Sequence, residues 1–404
     1  MRHIIIGAGV AGLYAAKQIK LLNPDDDVKI LSKESLRPYS KMVLPYILSG
    51  DSTFENSCMS VPFGVELIKN KEAIKIDTKN KFIETKDSEK FYFDKLLIAS
   101  GANPYAPDIK SLASFTVRNA EDVDRIKTKI DKVKGKPVIL SGAGLVNMEV
   151  ADALNKIGVP FIFVAKSDRV LSQIIDSEAS KILENVLSGH KIFKGESIKN
   201  IEEKNGGVFV TLESGKEIEG SCVVFGKGVR PAIEMLKDTE IKVNRGIVVN
   251  EHLETSVKDI YAAGDVAESK DVVFGDTRVH ALWPVAVEQG KIAGLNMANK
   301  KEFYKGSVSR NILSVFGKTI FTGGISTEDK FEVIKRVQDG EYKKIVLKDN
   351  ILKGFVFVSE VTNPGVYTYI MTSEIEVKNL KDKLLDGAIS YSDLHRKAYT
   401  IKVI

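Results

Sequence analysis

Ile4-Ile5-Ile6-Gly7-Ala8-Gly9-Val10-Ala11-Gly12 is the stretch on which the fold of this chain turns. Three β-branched residues in a row read as a strand buried on both faces, as in a parallel sheet. The glycines that follow fit G-x-G-x-x-G, and Leu13-Tyr14-Ala15-Ala16 opens a helix directly after them. Gly7 suits a tight turn, Gly9 lets backbone approach a diphosphate, and Gly12 lets helix pack close to strand. The free N–H groups of the helix start, from Gly9, Val10 and Ala11, would receive the phosphates. Strand, turn and helix together predict a dinucleotide-binding fold; the rival reading is a plain glycine-rich turn.

At 404 residues the chain has room for two or three domains with cores of their own. Its 43% hydrophobic content is that of a globular protein. The net charge of +5, from 59 basic and 54 acidic residues, is spread along the chain without a Lys/Arg run. That excludes a nucleic-acid partner and suits either an acidic protein partner or a solvated surface. Cys58 and Cys222 are far apart and form neither a CxxC nor a metal cluster, as expected for reduced thiols in the cytoplasm. No stretch reaches the ~18 apolar residues of a membrane span, and a first strand starting at residue 4 leaves no room for a secretory leader. The expectation is a cytoplasmic protein with no membrane and no metal.

Along the chain, Val28-Lys29-Ile30-Leu31 reads as the second strand. A dinucleotide fold places a ribose-binding acid about 20 residues past its glycines. Ser32 stands at the usual place, which leaves Glu34 as the candidate, with a plain surface charge as the alternative. The motif then returns: Pro137-Val138-Ile139-Leu140-Ser141 leads into Gly142-Ala143-Gly144-Leu145-Val146-Asn147-Met148-Glu149. Gly142, Gly144, Leu145 and Val146 are the expected phosphate-binding residues of this second copy. The copy departs from the pattern twice. Asn147 replaces the third glycine, where close helix–strand packing normally tolerates only Gly or Ala; if its side chain holds the helix off the strand, Asn147→Gly improves binding of both nucleotides. Val159-Pro160-Phe161-Ile162-Phe163-Val164 ends in Ala165, where a ribose-binding acid would stand, and Lys166 and Arg169 follow. Those cations suit a 2′-phosphate, so NADH selectivity is expected to be weak; a degenerate site is the alternative. Gly206-Gly207 and Ser214-Gly215 read as hairpin turns.

Five stretches carry a family resemblance. They are Leu36 to Gly50, Phe91 to Pro104 with its Ser100-Gly101-Ala102-Asn103-Pro104 junction, Gly228-Val229-Arg230-Pro231, Thr255 to Ala267 with Gly264-Asp265, and His280 to Ala298. With the two glycine motifs they resemble the pyridine-nucleotide-linked FAD oxidoreductases, most of all the rubredoxin-reductase branch and the flavin region of assimilatory nitrite reductase. The resemblance implies an α/β fold with two Rossmann-like nucleotide-binding domains and an α+β C-terminal interface domain. The FAD domain would be discontinuous, over residues 1–109 and 239–302, with the NAD(P) domain inserted at 110–238 and the C-terminal domain at 303–404. It implies that Ser100, Gly101, Gly228, Gly264 and Asp265 lie along FAD. A strand would deliver Gly264-Asp265 to a helix start, where the carboxylate accepts from ribityl hydroxyls. The Pro284 helix would aim its N-terminus at the flavin, its small face of Ala286, Gly290, Ala293 and Gly294 packing closely.

The resemblance also assigns roles. Lys41 would keep a positive charge near the flavin, Glu149 would orient the nicotinamide carboxamide, and Trp283 would shield the isoalloxazine. His280 stays outside the catalytic set. Met42 stands where disulfide-reducing members carry a redox cysteine, and a thioether cannot form the attacking thiolate. The expected activity is hydride transfer from NAD(P)H to FAD, then electron transfer to a small redox protein such as rubredoxin or ferredoxin. Dioxygen as acceptor, or service as a FAD-carrying relay subunit with poor NAD(P)H use, are the alternatives; a homo-oligomer stays open.

Overall fold

The computed structural model describes residues 1–107, 109, 111–326 and 330–395. The chain divides into two compact units, each discontinuous: Met1–Pro104 with Val229–Ser307, and Tyr105–Gly228 with the chain from Val308 onward.

The first unit is built on a five-stranded sheet in the order Ile260–Ala262, Lys95–Ile98, Arg2–Ile6, Asp27–Leu31, Glu66–Ile68, with every pairing parallel. The Arg2–Ile6 strand is central, and Ile4, Ile5 and Ile6 are buried. Its neighbours are the next strand on one side and a much later one on the other. The strand order therefore reverses here and opens a crevice at its carboxyl end. Two helices, Val10–Leu22 and Trp283–Met297, approach backbone to backbone at Gly290 and Gly294. A Cβ on Gly290 would stand 2.3 Å from the Ala11 carbonyl oxygen, and one on Gly294 2.5 Å from that of Ala15. Because Ala11 meets Gly290 and Ala15 meets Gly294, the helices run parallel. At 1.5 Å per residue, the Trp283 end reaches about 9 Å past the start of the first helix. An antiparallel pair, Ala102–Pro104 with Val229–Pro231, lies where the chain leaves this unit and returns.

The second unit repeats the plan. Its parallel sheet has the order Lys191–Lys194, Phe161–Ala165, Val138–Ser141, Val223–Phe225, Ser114–Phe115. The repeat extends to single hydrogen bonds. Gly7 N–H donates to the Leu31 carbonyl and Gly142 N–H to that of Val164, both at 2.8 Å. Ala99 N–H donates to Ile6 at 2.8 Å and Gly226 N–H to Ser141 at 2.9 Å. Leu13 N–H donates to Gly9 and Met148 N–H to Gly144, both at 3.0 Å. Gly7, Gly9, Gly12, Ala99 and Ser100 thus correspond to Gly142, Gly144, Asn147, Gly226 and Lys227. Strands Ile198–Lys204, Gly207–Leu212 and Glu217–Gly220 form an antiparallel meander. Its first turn is Asn205-Gly206, both at positive φ (53° and 78°), as a two-residue hairpin turn requires.

The C-terminal part of this unit is a five-stranded antiparallel sheet, Arg310–Val315, Lys318–Gly324, Ile351–Val358, Glu341–Lys348, Glu332–Gln338. Phe321, Phe355, Phe357 and Tyr367 pack ring against ring in its core. Near the end of the described chain lie two short helices, Lys381–Asp386 and Tyr391–His395. Gly387, at φ +79°, ends the first in a left-handed cap. A further helix, Pro364–Thr372, precedes them. Among the described residues no helix is long and apolar enough to cross a membrane.

Candidate active site

The three glycines of the first motif separate into two kinds. Gly7 is at φ +108°, and a Cβ there would stand 2.2 Å from the Ala99 carbonyl oxygen. A Cβ on Gly12 would stand 2.2 Å from the carbonyl oxygen of Gly7. Both positions are closed by packing. Gly9 has an ordinary φ of −76° and nothing within 4 Å of its Cβ position. The helix it begins has no side-chain cap and no acid in its first turn. The leading N–H groups of this helix, from Val10 and Ala11 among others, thus have no capping side chain, and the space at the Gly9 Cβ position is open. That cradle fits a diphosphate.

Gly264 lies against the same helix start, its Cβ position 3.3 Å from Ala11 Cβ and 3.7 Å from Ala286 Cβ. Its N–H donates to Oε1 of buried Gln289 at 2.8 Å. Gly264-Asp265 thus sits between the N-terminal ends of both helices. One expectation is corrected here: no helix begins after Asp265. Ala267 N–H donates to the Gly264 carbonyl at 2.9 Å, closing a turn that runs into the strand Ala267–Lys270. The strand prevails because it pairs with Ile247–Val248 and because buried Glu268 ties down the Asn244–Gly246 loop. That carboxylate accepts from Asn244, the amides of Arg245 and Gly246, and Thr277. Trp283 is the first residue of its helix, partly buried against the unit's core.

The structure joins Glu34 and Lys41, which sequence reading had given separate duties at ribose and flavin. Glu34 accepts from the Tyr39 hydroxyl at 2.8 Å and pairs with Lys41 Nζ. Burial pushes the Glu34 carboxyl up, but Lys41 and Tyr39 outweigh it and hold the group below the usual carboxylate range. Met42 is 59% exposed. Cys58, remote from this loop in sequence, lies beside it, because Tyr39 and Cys58 form a β-bridge. Ser100 Oγ donates to the Ala232 carbonyl at 2.7 Å, and Gly101, at φ +72°, accepts from Ala232 N–H at 3.0 Å.

In the second motif Gly142, at φ +101°, lies against the Gly226 carbonyl, and Gly144 starts an uncapped helix as Gly9 does. Leu145 and Val146 follow, Val146 being 39% exposed. The expectation for Asn147 is corrected. Its side chain does not hold the helix off the strand. It is fully buried, and Nδ2 donates to the carbonyls of Ser141 at 3.0 Å, Gly142 at 2.9 Å and Val224 at 3.3 Å. The space comes from Gly226, where a Cβ would stand 2.3 Å from Asn147 Cγ. The first unit has glycine on the helix and alanine on the facing strand end (Gly12, Ala99); the second has asparagine on the helix and glycine opposite. The small residue has changed sides.

Ala165 is buried at its strand end and Lys166 is exposed. Arg169 pairs with Asp168 at 3.0 Å and donates to the Ser172 carbonyl at 3.3 Å. Lys227, passed over in the sequence reading, follows Gly226 and is half-buried beside Gly142. The charge on a residue directly after a strand-ending glycine was the available signal. In the helix, burial and then Asp152 push the Glu149 carboxyl up to about 7. The unfolded chain ionises near 4.5 while the folded one keeps its proton, so rising pH costs stability from about 4.5 and the cost is complete above about 7. Glu149→Gln is expected to raise stability at pH 8 by about 1–3 kcal/mol and to leave it unchanged at pH 4. Urea unfolding at both pH values measures this, and an equal effect at both refutes it.

Residues 1–290 match the family model described as pyridine nucleotide-disulphide oxidoreductase. The chain belongs to that family: it is an NAD(P)H-dependent flavin oxidoreductase, and its cofactors are FAD and a pyridine nucleotide. It is 32% identical to the NADH-rubredoxin oxidoreductase of Clostridium acetobutylicum over 373 residues, 89% of this chain and 91% of that one. It is also 32% identical to an NADH oxidase of Methanocaldococcus jannaschii over 324 residues, 75% of this chain and 72% of that one. The solved structure of the Clostridium acetobutylicum enzyme superposes with a TM-score of 0.79 at 29% identity, covering 95% of this chain and 99% of that one.

Proposed function

We propose that this enzyme takes hydride from NADH or NADPH onto FAD and delivers electrons to a small redox protein of the rubredoxin or ferredoxin kind, with no cysteine in the relay. Bound FAD supplies the change from two-electron to one-electron chemistry. The chain supplies binding and orientation. Gly9, Val10 and Ala11 present N–H groups to the FAD diphosphate, and Asp265, between the two helix starts, is suited to the ribityl chain. The uncapped start of the Trp283 helix favours negative charge on the reduced ring. Trp283 offers a shielding face. Glu149, holding its proton up to about pH 7, donates a hydrogen bond to the carboxamide. Lys41, paired with Glu34, keeps a positive charge near the flavin.

The observation that carries the cysteine-free relay is the state of the thiols. Met42 holds the loop position, Cys58 is single, and burial pushes the Cys222 thiol up to about 12. A thiol so buried forms no thiolate. Both cysteines are free, as suits the reducing cytoplasm. Changing Cys58 and Cys222 to serine together is expected to leave NAD(P)H-driven turnover within about twofold of wild type. Loss of turnover in a variant that keeps its FAD overturns the relay.

The test of the function is anaerobic. Purified protein is expected to be yellow, to bleach on addition of NADH or NADPH, and to regain colour faster with oxidised rubredoxin or ferredoxin than with air. The similarity to an NADH oxidase favours a second reading, dioxygen as acceptor; faster return of colour in air supports it. The relay-subunit alternative loses half its basis, since Asn147 is a fitted residue and only Ala165 remains.

A further inference from the structure

The second glycine turn lies between two lysines that make no ion pair among the described residues. The Val138–Ser141 strand, which ends in that turn, has Phe161–Ala165 as one hydrogen-bonded neighbour and Val223–Phe225 as the other. Lys166 directly follows the first neighbour, and Lys227 follows the second after Gly226. Two strand spacings put their backbones about 10 Å apart, one on each side of the turn. Lys227 Cγ lies 3.6 Å from the Cβ position of Gly142, so its stem lies against the turn. The corresponding residue beside the FAD turn is Ser100, which is uncharged.

Among the described residues neither lysine makes a hydrogen bond or an ion pair. Burial lowers the Lys227 pKa, Glu213 opposes this from a distance, and the charge of Lys166 lowers it further. A half-buried ammonium facing a like charge is costly unless an anion joins them.

We propose that Lys227 is a binding residue for the diphosphate of the pyridine nucleotide, shared by NADH and NADPH, while Lys166 on the adenosine side acts on the 2′-phosphate alone. This rests on the NAD(P)H reading above. The diphosphate at the N–H groups of Gly144, Leu145 and Val146 lies between the two cations, and its charge removes their mutual repulsion. Lys227 follows the end of the Val223–Phe225 strand, away from the second-strand end where the adenosine ribose is held in this fold. It therefore does not distinguish the two nucleotides. The usual ribose acid is missing at Ala165, and affinity moves from the ribose diol to the phosphates.

The experiment is calorimetric titration of FAD-loaded protein with ADP-ribose and with its 2′-phosphate, neither of which can reduce flavin. Lys227→Gln is expected to raise the Kd of both ligands by about tenfold and to flatten their dependence on salt; Lys227→Arg is expected to keep both near wild type. Lys166→Gln is expected to weaken only the 2′-phosphorylated ligand. FAD content and Tm, followed in parallel, are expected to stay unchanged. Wild type that binds both ligands, with Lys227→Gln binding them within twofold as well, overturns the Lys227 assignment and leaves the NAD(P)H reading intact. Wild type that binds neither ligand overturns both.

Discussion

Gly226→Ala is expected to destabilise the second unit by about 3 kcal/mol, and Asn147→Gly by about 2–4 kcal/mol, yet the two together are expected to cost only about 1 kcal/mol. The alanine would push its Cβ to within 2.3 Å of Asn147 Cγ, with the strand backbone fixed by its own hydrogen bonds. The glycine would leave a void and remove the amide that serves the carbonyls of Ser141, Gly142 and Val224. Combined, the changes rebuild the Gly12 and Ala99 arrangement already present in the first unit. The residual cost is that of glycine within a helix. Scanning calorimetry of FAD-loaded protein would show the single variants melting roughly 6–12 °C lower and the double variant close to wild type. Additive losses in the double variant would mean that the two residues are not exchanging one space, since contacting sites couple and independent ones add.

Gly9→Val is expected to leave the apo fold intact and to reduce FAD affinity by a hundredfold or more. Nothing lies within 4 Å of the Gly9 Cβ position and its φ of −76° suits any residue, so the folded chain itself gives no reason for glycine there. The reason is the diphosphate, which needs that space and the N–H groups behind it. Gly12→Val, by contrast, would drive a side chain into the carbonyl of Gly7 and is expected to lose both fold and flavin. Circular dichroism, Tm of the apo forms and flavin released on denaturation distinguish the two variants. A Gly9→Val protein that stays yellow would remove the cradle from the FAD site.

Much of this molecule is legible in its sequence because the signals are local. Strand, glycine turn and helix are contiguous, so Ile4 to Gly12 and Val138 to Val146 each specify a unit that the backbone then builds. The small face of the Trp283–Met297 helix was readable from the spacing of Gly290 and Gly294. The family resemblance supplied the discontinuous order that no local pattern contains. Other features depended on residues that meet only after folding. Asn147 read alone is a misplaced side chain; beside Gly226, nearly 80 residues later, it is a fitted one. Cys58 read alone lies past the flavin loop; paired with Tyr39 it lies beside it. Gly264-Asp265 read locally as a strand-to-helix turn, but the helix start belongs to another segment and reaches it through Gln289. Lys227 carried no motif, and its significance comes from a stem packed against Gly142, with Lys166 on the other side of the turn. The two strand–glycine turn–helix units were readable from sequence alone, because backbone conformation and burial period are properties of neighbours in the chain. The tertiary structure decided which side chains share a space or a charge, because those are properties of neighbours across strands, and the distance along the chain carries no record of them.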